Sequence, residues 1–263
     1  MADDEVPVKL ERRGRVGVLV LDRPDRRNAL SRQTLMELGR LGRELVADPE
    51  IRAIVLTGSG DKVFCAGADL KERQGFSNDD VRVQVGLYRS ELGVLDKSPK
   101  PVVAALNGSA FGGGLELALL CDLRVAASHA QLGLPETTLG IIPGAGGTQR
   151  LPRVVGEARA REMILLGRPI SSEVALLWGL VNKVCAPNTS VLDETITWIE
   201  PIASGAPIAQ AAALAAIEQA LDLPLEHGLA LERVHYDETL RSEDRKEALR
   251  AFAEKRRPAF QGR

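Results

Sequence analysis

The chain reads as an α/β protein, with a largely parallel sheet core and a helical C-terminal region. Three observations predict this. Apolar runs without polar alternation, such as "GVLVL", "AIVLTG" and "PVVAAL", alternate with helical patterns over the first half of the chain. Strands buried on both faces take that form, and crossover helices make their pairing parallel. After Gly147 the pattern changes, and helical segments dominate to the end. The length, 263 residues with 44% hydrophobic, suffices for one large core plus a smaller appendage.

Residues 15–21, "RVGVLVL", form the first predicted strand, and "RPDRRNALS" the loop after it. Ser31 is placed to cap a helix carrying Leu35, Leu38, Leu41 and Leu45 on one side, because its hydroxyl can accept from a first-turn N–H. Residues 53–58 form a second strand ending in a glycine turn. A polar helix is predicted over 78–95, then a buried strand in "PVVAALNG", a glycine-led helix around Glu116 and a strand in "LRVAAS". In the second half "GLVNKVC" interrupts the helices, and "SGAP" at 204–207 precedes helices rich first in Ala, then in charge. This places a core over 1–200 and a helical region over 201–263.

Net charge is −2 and the sequence pI about 6.0, which is not the basic footprint of a protein that binds nucleic acid or an anionic membrane. Basic clusters at Arg23, Arg26 and Arg27 and at Lys255, Arg256 and Arg257 read as solvated surface or as phosphate contacts. Cys65, Cys121 and Cys185 contain no CxxC pair, which points to reduced thiols and a reducing compartment. "MADDEVPVKLERRG" resembles neither a secretory signal nor a transit peptide, and no apolar stretch approaches the roughly 20 residues of a membrane span. The expected location is cytoplasmic. None of the three histidines stands in a metal-binding pattern. "GSAFG" is not a GxSxG elbow, and the glycine cluster lacks both the Lys-Ser/Thr of a P-loop and the third glycine of a dinucleotide fingerprint. With no metal and no separate cofactor expected, carboxylates are left for acid–base work.

One of them, Glu116, stands in "AFGGGLELALLCD" with Gly112, Gly113, Leu119 and Leu120 three and four positions away. Those positions share its helix face, so the carboxylate is expected in a dry setting. Three glycine-bearing segments, "FCAGADLKE", "NGSAFGGGLELAL" and "LPETTLGIIPGAGGTQRLPR", share one rationale. A turn through glycine into a helix presents unpaired N–H groups that can hold an anion made from a carbonyl. Glu136 follows Glu116 by twenty residues. Two glutamates in one site have their pKa values pushed apart, which suits adding water to a double bond conjugated to a carbonyl. Taken alone, Glu136 reads as an exposed turn residue rather than a catalytic one.

In order and spacing these segments, with "RPDRRNALS" and the ending "EDRKEALRAFAEKRRPAF", resemble the enoyl-CoA hydratase/isomerase (crotonase) superfamily over nearly the whole chain. The resemblance implies a spiral of repeated ββα units, a C-terminal helical trimerisation region, homotrimers or hexamers, and a coenzyme A thioester as substrate. By motif position it puts the oxyanion-hole N–H groups on Ala68 and Gly113 and the catalytic glutamates on Glu116 and Glu136. It lines the CoA pocket with Ala66, Asp69, Leu70 and Lys71, with Lys71, Arg26 and Arg27 as phosphate contacts. Having both glutamates favours a hydratase over an isomerase. "CAGADLKER", "GGGLELAL" and "CDLRVAAS" are most similar to the methylglutaconyl-CoA hydratase branch, which implies leucine breakdown; a short-chain crotonyl-CoA hydratase of fatty-acid oxidation is the alternative. A member of that branch also binds RNA through a lysine-rich helix. Here the helix "SRQTLMELGRLGREL" has three arginines, two glutamates and no lysine, which counts against RNA binding.

Overall fold

The structure, a computed structural model, describes residues 6–263. Its strands are β1 (Val8–Arg13), β2 (Val16–Leu21), β3 (Ala53–Gly58), β4 (Val63–Cys65), β5 (Val102–Leu106), β6 (Ser109–Phe111), β7 (Leu123–Ala126), β8 (Gln131–Gly133), β9 (Ile170–Ser171) and β10 (Lys183–Val184). They form a six-stranded sheet in the order β1-β2-β3-β5-β7-β10 and a four-stranded sheet in the order β4-β6-β8-β9. Every pairing is parallel except β1 with β2 and β8 with β9.

The topology repeats. β3 and β4, β5 and β6, and β7 and β8 each give one strand to the larger sheet and the next to the smaller before a helix follows. This is the expected spiral of ββα units. The apolar runs end up where unalternated strands must: every residue of β3 and of β5 is buried. Leu35, Leu38, Leu41 and Leu45 of the Arg32–Ala47 helix are buried together, and the Ser31 hydroxyl caps that helix by accepting the Thr34 N–H at 3.1 Å.

The helix expected over 78–95 is two helices, Asn78–Ser90 and Gly93–Asp96. Gly93 is a poor helix former, and the break lets Leu92 turn fully into the core. β1 was not expected, because "VKLERR" is charged; it is an edge strand, and charge there discourages further pairing.

From residue 191 onward the described chain is helical: Val191–Trp198, Glu200–Ala203, Pro207–Glu218, Leu225–Leu240 and Glu243–Ala253. The Leu225–Leu240 helix buries none of its residues and exposes Leu225, Leu229, Val234 and Tyr236. Among the described residues no helix is long and apolar enough to cross a membrane.

Candidate active site

Backbone pairing brings the glycine segments together. Asn28, buried, donates to the Ser59 and Val63 carbonyls at 3.0 and 2.9 Å and so ties the "RPDRRNALS" loop to the end of β3 and to β4. Leu30 then bridges to residue 68: its N–H donates to the Gly67 carbonyl at 2.8 Å, and the Asp69 N–H donates back to the Leu30 carbonyl at 3.1 Å. That pairing uses the neighbours and leaves the Ala68 N–H with no acceptor among the described residues.

The second segment turns at Gly112, whose φ of +52° and ψ of −127° favour glycine. A Cβ at Gly112 would also lie 3.0 Å from the Glu136 carboxylate, so the missing side chain makes room for that group. The Gly113 N–H opens the Gly113–Leu119 helix and likewise has no protein acceptor among the described residues. Gly114 sets the spacing of the two segments, since a Cβ there would fall 2.3 Å from the Cys65 carbonyl oxygen of β4.

Both segments face one cavity of about 520 Å³. Of the residues expected at the site, Ala66, Ala68, Leu70, Gly113, Glu116 and Glu136 line it. The remaining wall is largely apolar, with Val81, Val85, Leu139, Ile141 and Ile142.

Glu116 is buried in its helix at 3% exposure, as the apolar context predicts. Its Oε1 accepts the Ala145 N–H at 2.8 Å and the Gly147 N–H at 2.7 Å, while Oε2 makes no hydrogen bond among the described residues. Burial raises its pKa, and the Gly147 and Ala145 N–H groups and the charges of Arg150 and Arg73 oppose the rise. Glu136, at 8% exposure, begins a short 3-10 turn after β8, and its Oε2 has no partner among the described residues. Burial, opposed by its own backbone N–H and reinforced by the Glu116 charge, pushes its pKa up to about 7. The two carboxyls thus differ in kind: one is held by two N–H donors, the other is poised between its protonation states at neutral pH.

Four expected residues do not line the cavity. The Asp69 carboxylate is already occupied: it caps the Leu70–Arg73 helix through the Lys71 and Glu72 N–H groups and pairs with Arg23 at 2.9 Å. Lys71 is exposed on that helix. Arg26 and Arg27 are exposed on the adjoining turn, where the Arg27 carbonyl accepts the Ala66 N–H at 3.1 Å. Two polar residues that sequence reasoning missed do line it, Arg73 and Tyr88. Tyr88 was hidden in a helix read as polar, and Arg73 lies just past the "ADLKE" motif. Among the described residues no group of three or more His, Cys, Asp or Glu side chains is placed to hold a metal ion.

Comparison with known proteins shows the family of the chain. The enoyl-CoA hydratase/isomerase family model matches residues 11–263. The chain is 40% identical to the (E)-benzylidenesuccinyl-CoA hydratase of Thauera aromatica, over 98% of this chain and 100% of that protein. It is 44% identical to the mitochondrial enoyl-CoA hydratase of Pongo abelii, over 95% of this chain and 86% of that one. The crystal structure of an enoyl-CoA hydratase from Bacillus anthracis superposes with a TM-score of 0.95 at 43% identity, covering 98% of this chain and all of that chain. With a cavity in which two glycine turns and two glutamates meet, and with likeness along its whole length, the chain belongs to the enoyl-CoA hydratase/isomerase family.

Proposed function

We propose that the protein adds water across the 2,3 double bond of a 2-enoyl-CoA thioester. The observation that carries this reading is the pair of unlike glutamates on one cavity. Glu116, with Oε1 held by two N–H donors, keeps its carboxylate form better and is the base. Glu136, with no such partner on Oε2 and a pKa of about 7, is the proton donor. In the step, the water oxygen bonds to C3 while Glu116 takes one of its protons. The electron pair of the double bond moves through C2 onto the thioester oxygen. There the Ala68 and Gly113 N–H groups hold the negative charge, each such donor being worth on the order of 10²–10³ in rate. Glu136 then delivers a proton to C2, the carbonyl re-forms, and H and OH have been added; the proton that Glu116 took from the water returns to Glu136, which restores both carboxyls. An isomerase needs only one shuttling carboxylate, and hydration is the activity named for the Thauera and Pongo relatives.

Coenzyme A enters as part of the substrate, and no separate cofactor takes part. Ala66 and Leu70 border its thioester end, and the exposed bases Lys71, Arg26 and Arg27 beside them are suited to its phosphates. Residues 1–200 form the catalytic core in this reading. Residues 201–263 form the oligomerisation region of a trimer or hexamer, supported by the exposed Leu225, Leu229, Tyr236 and Phe252. Three free, buried cysteines fit a cytoplasmic location. Crotonyl-CoA and 3-methylglutaconyl-CoA are the acyl chains to compare first.

The test is loss of the conjugated thioester absorbance on purified protein. Glu116→Gln is expected to lower kcat by about 10²–10⁴-fold. Its acyl-CoA affinity should change little. Wild-type turnover in that variant overturns its role as base.

A further inference from the structure

Arg73 ends the Leu70–Arg73 helix, and its Nε donates to the Gln84 Oε1 at 2.6 Å. Gln84 is fully buried, and its Nε2 donates to the Glu72 Oε2 at 2.8 Å. The Glu72 carboxylate also accepts the Arg32 N–H at 3.2 Å, so it is not the counter-ion of Arg73. These contacts orient the guanidinium by one edge. Its two terminal nitrogens make no hydrogen bond or ion pair among the described residues, which leaves four N–H donors unused on the cavity wall.

A second donor stands on the same wall. Tyr88 is only 6% exposed, and its hydroxyl has no partner among the described residues. It lies against Gly113, where an added Cβ would be 2.6 Å from it. Val81, Gln84, Val85 and Tyr88 recur at helical spacing on the Asn78–Ser90 helix and so share one face. The wall is therefore apolar at Val81 and Val85 and donor-rich at Arg73 and Tyr88. A plain hydrocarbon chain packed there would take water from the guanidinium and return nothing, and would leave the Tyr88 hydroxyl as unsatisfied as before.

We infer that this wall receives an anionic group at the far end of the acyl chain, so that the preferred ligands are CoA monothioesters of dicarboxylic acids. Arg73 accommodates the free carboxylate with its two terminal nitrogens, a geometry that a planar guanidinium offers in bidentate form. The Tyr88 hydroxyl gives a further bond. The inference rests on the hydratase reading for its chemistry, but the binding it describes does not.

The experiment therefore separates the two. Isothermal titration calorimetry on the full-length protein would compare glutaryl-CoA, butyryl-CoA and free CoA, none of which can be hydrated. Wild type is expected to bind glutaryl-CoA ten- to a hundredfold tighter than butyryl-CoA, as charge-assisted hydrogen bonds allow. In Arg73→Met that ratio should fall to what the Tyr88 hydroxyl alone supplies, about tenfold or less, and Arg73→Lys should keep more of it. A wild type that does not distinguish the two ligands overturns the inference, whether or not the variants fold. So does an equal loss on all three ligands in Arg73→Met, which would put the guanidinium on a CoA phosphate. Turnover is read separately on crotonyl-CoA and on 3-methylglutaconyl-CoA. Its absence on both beside an intact binding ratio overturns the hydratase reading alone, and turnover without the ratio overturns this inference alone.

Discussion

The cavity has a floor and a side wall of different construction. The floor is backbone: the free N–H groups of Ala68 and Gly113, set by the Leu30 bridge and by the close packing of Gly114 on β4, with Glu116 held by two further N–H groups. The side wall is side chain: Arg73 and Tyr88, placed by the packing of the Asn78–Ser90 helix, whose buried Gln84 holds Arg73 from behind. A backbone site demands particular residues at fixed local spacing, and it leaves almost no room for substitution. A side-chain wall can be rebuilt one residue at a time while the floor stays intact. In this reading the floor carries the chemistry and the wall chooses the acyl chain.

Gly114→Ala attacks the floor where it is tightest. A methyl group 2.3 Å from a backbone carbonyl forces β4 and the Gly113–Leu119 helix apart, because neither atom belongs to a flexible side chain. The expected cost is about 3 kcal/mol, the upper part of the range for overpacking. Misaligning one oxyanion donor should lower kcat on crotonyl-CoA by a further factor on the order of 10²–10³. Urea unfolding and steady-state kinetics read the two effects. Wild-type values in both would mean that the floor is not the close-fitted backbone described above.

This contrast explains what was legible in the sequence. The floor was, because glycine turns and a charge in an apolar run are local signals. β2, β3, β5 and β7 were, as apolar runs, and so was the Ser31 cap. β4, β6 and β9 were not, because strands of three or two residues carry no periodicity. Arg73 was not, because nothing local distinguishes a cavity-facing arginine from its solvated neighbour Lys71. Asp69 shows the opposite: it lies in the same quoted motif as Ala68, yet its carboxylate is engaged in a cap and an ion pair, which the motif alone does not reveal.

Within the floor, Glu136 links function to stability. Its protonated form is the one that the fold favours, facing Glu116 in a dry cavity. Its contribution is complete below the ordinary glutamate pKa near 4.5 and is lost as pH rises through about 7. That rise corresponds to about 3 kcal/mol at most. Glu136→Gln mimics the neutral form at every pH and should have no hydratase activity. Relative to wild type it should be about 2–3 kcal/mol more stable at pH 8 and nearly equal at pH 5. Urea titrations at the two pH values check the sign. A variant less stable at pH 8 than wild type would show that the fold prefers the carboxylate.

The smallest effect sharpens the wall. Tyr88→Phe removes one oxygen that is buried and unpartnered when no ligand is bound. Leaving a hydroxyl unsatisfied costs on the order of 1–3 kcal/mol, so the variant should match or exceed wild type in stability by about 1 kcal/mol. With a dicarboxylic monothioester bound, the same oxygen gains an acceptor. Its loss should then reduce the preference for glutaryl-CoA over butyryl-CoA by about tenfold, the lower end of what a hydrogen bond to a charged acceptor is worth. A structural tyrosine would behave oppositely, losing stability and leaving the ligand ratio alone. Thermal unfolding beside calorimetry decides between the two, and a floor residue altered in the same way should move both ligands together.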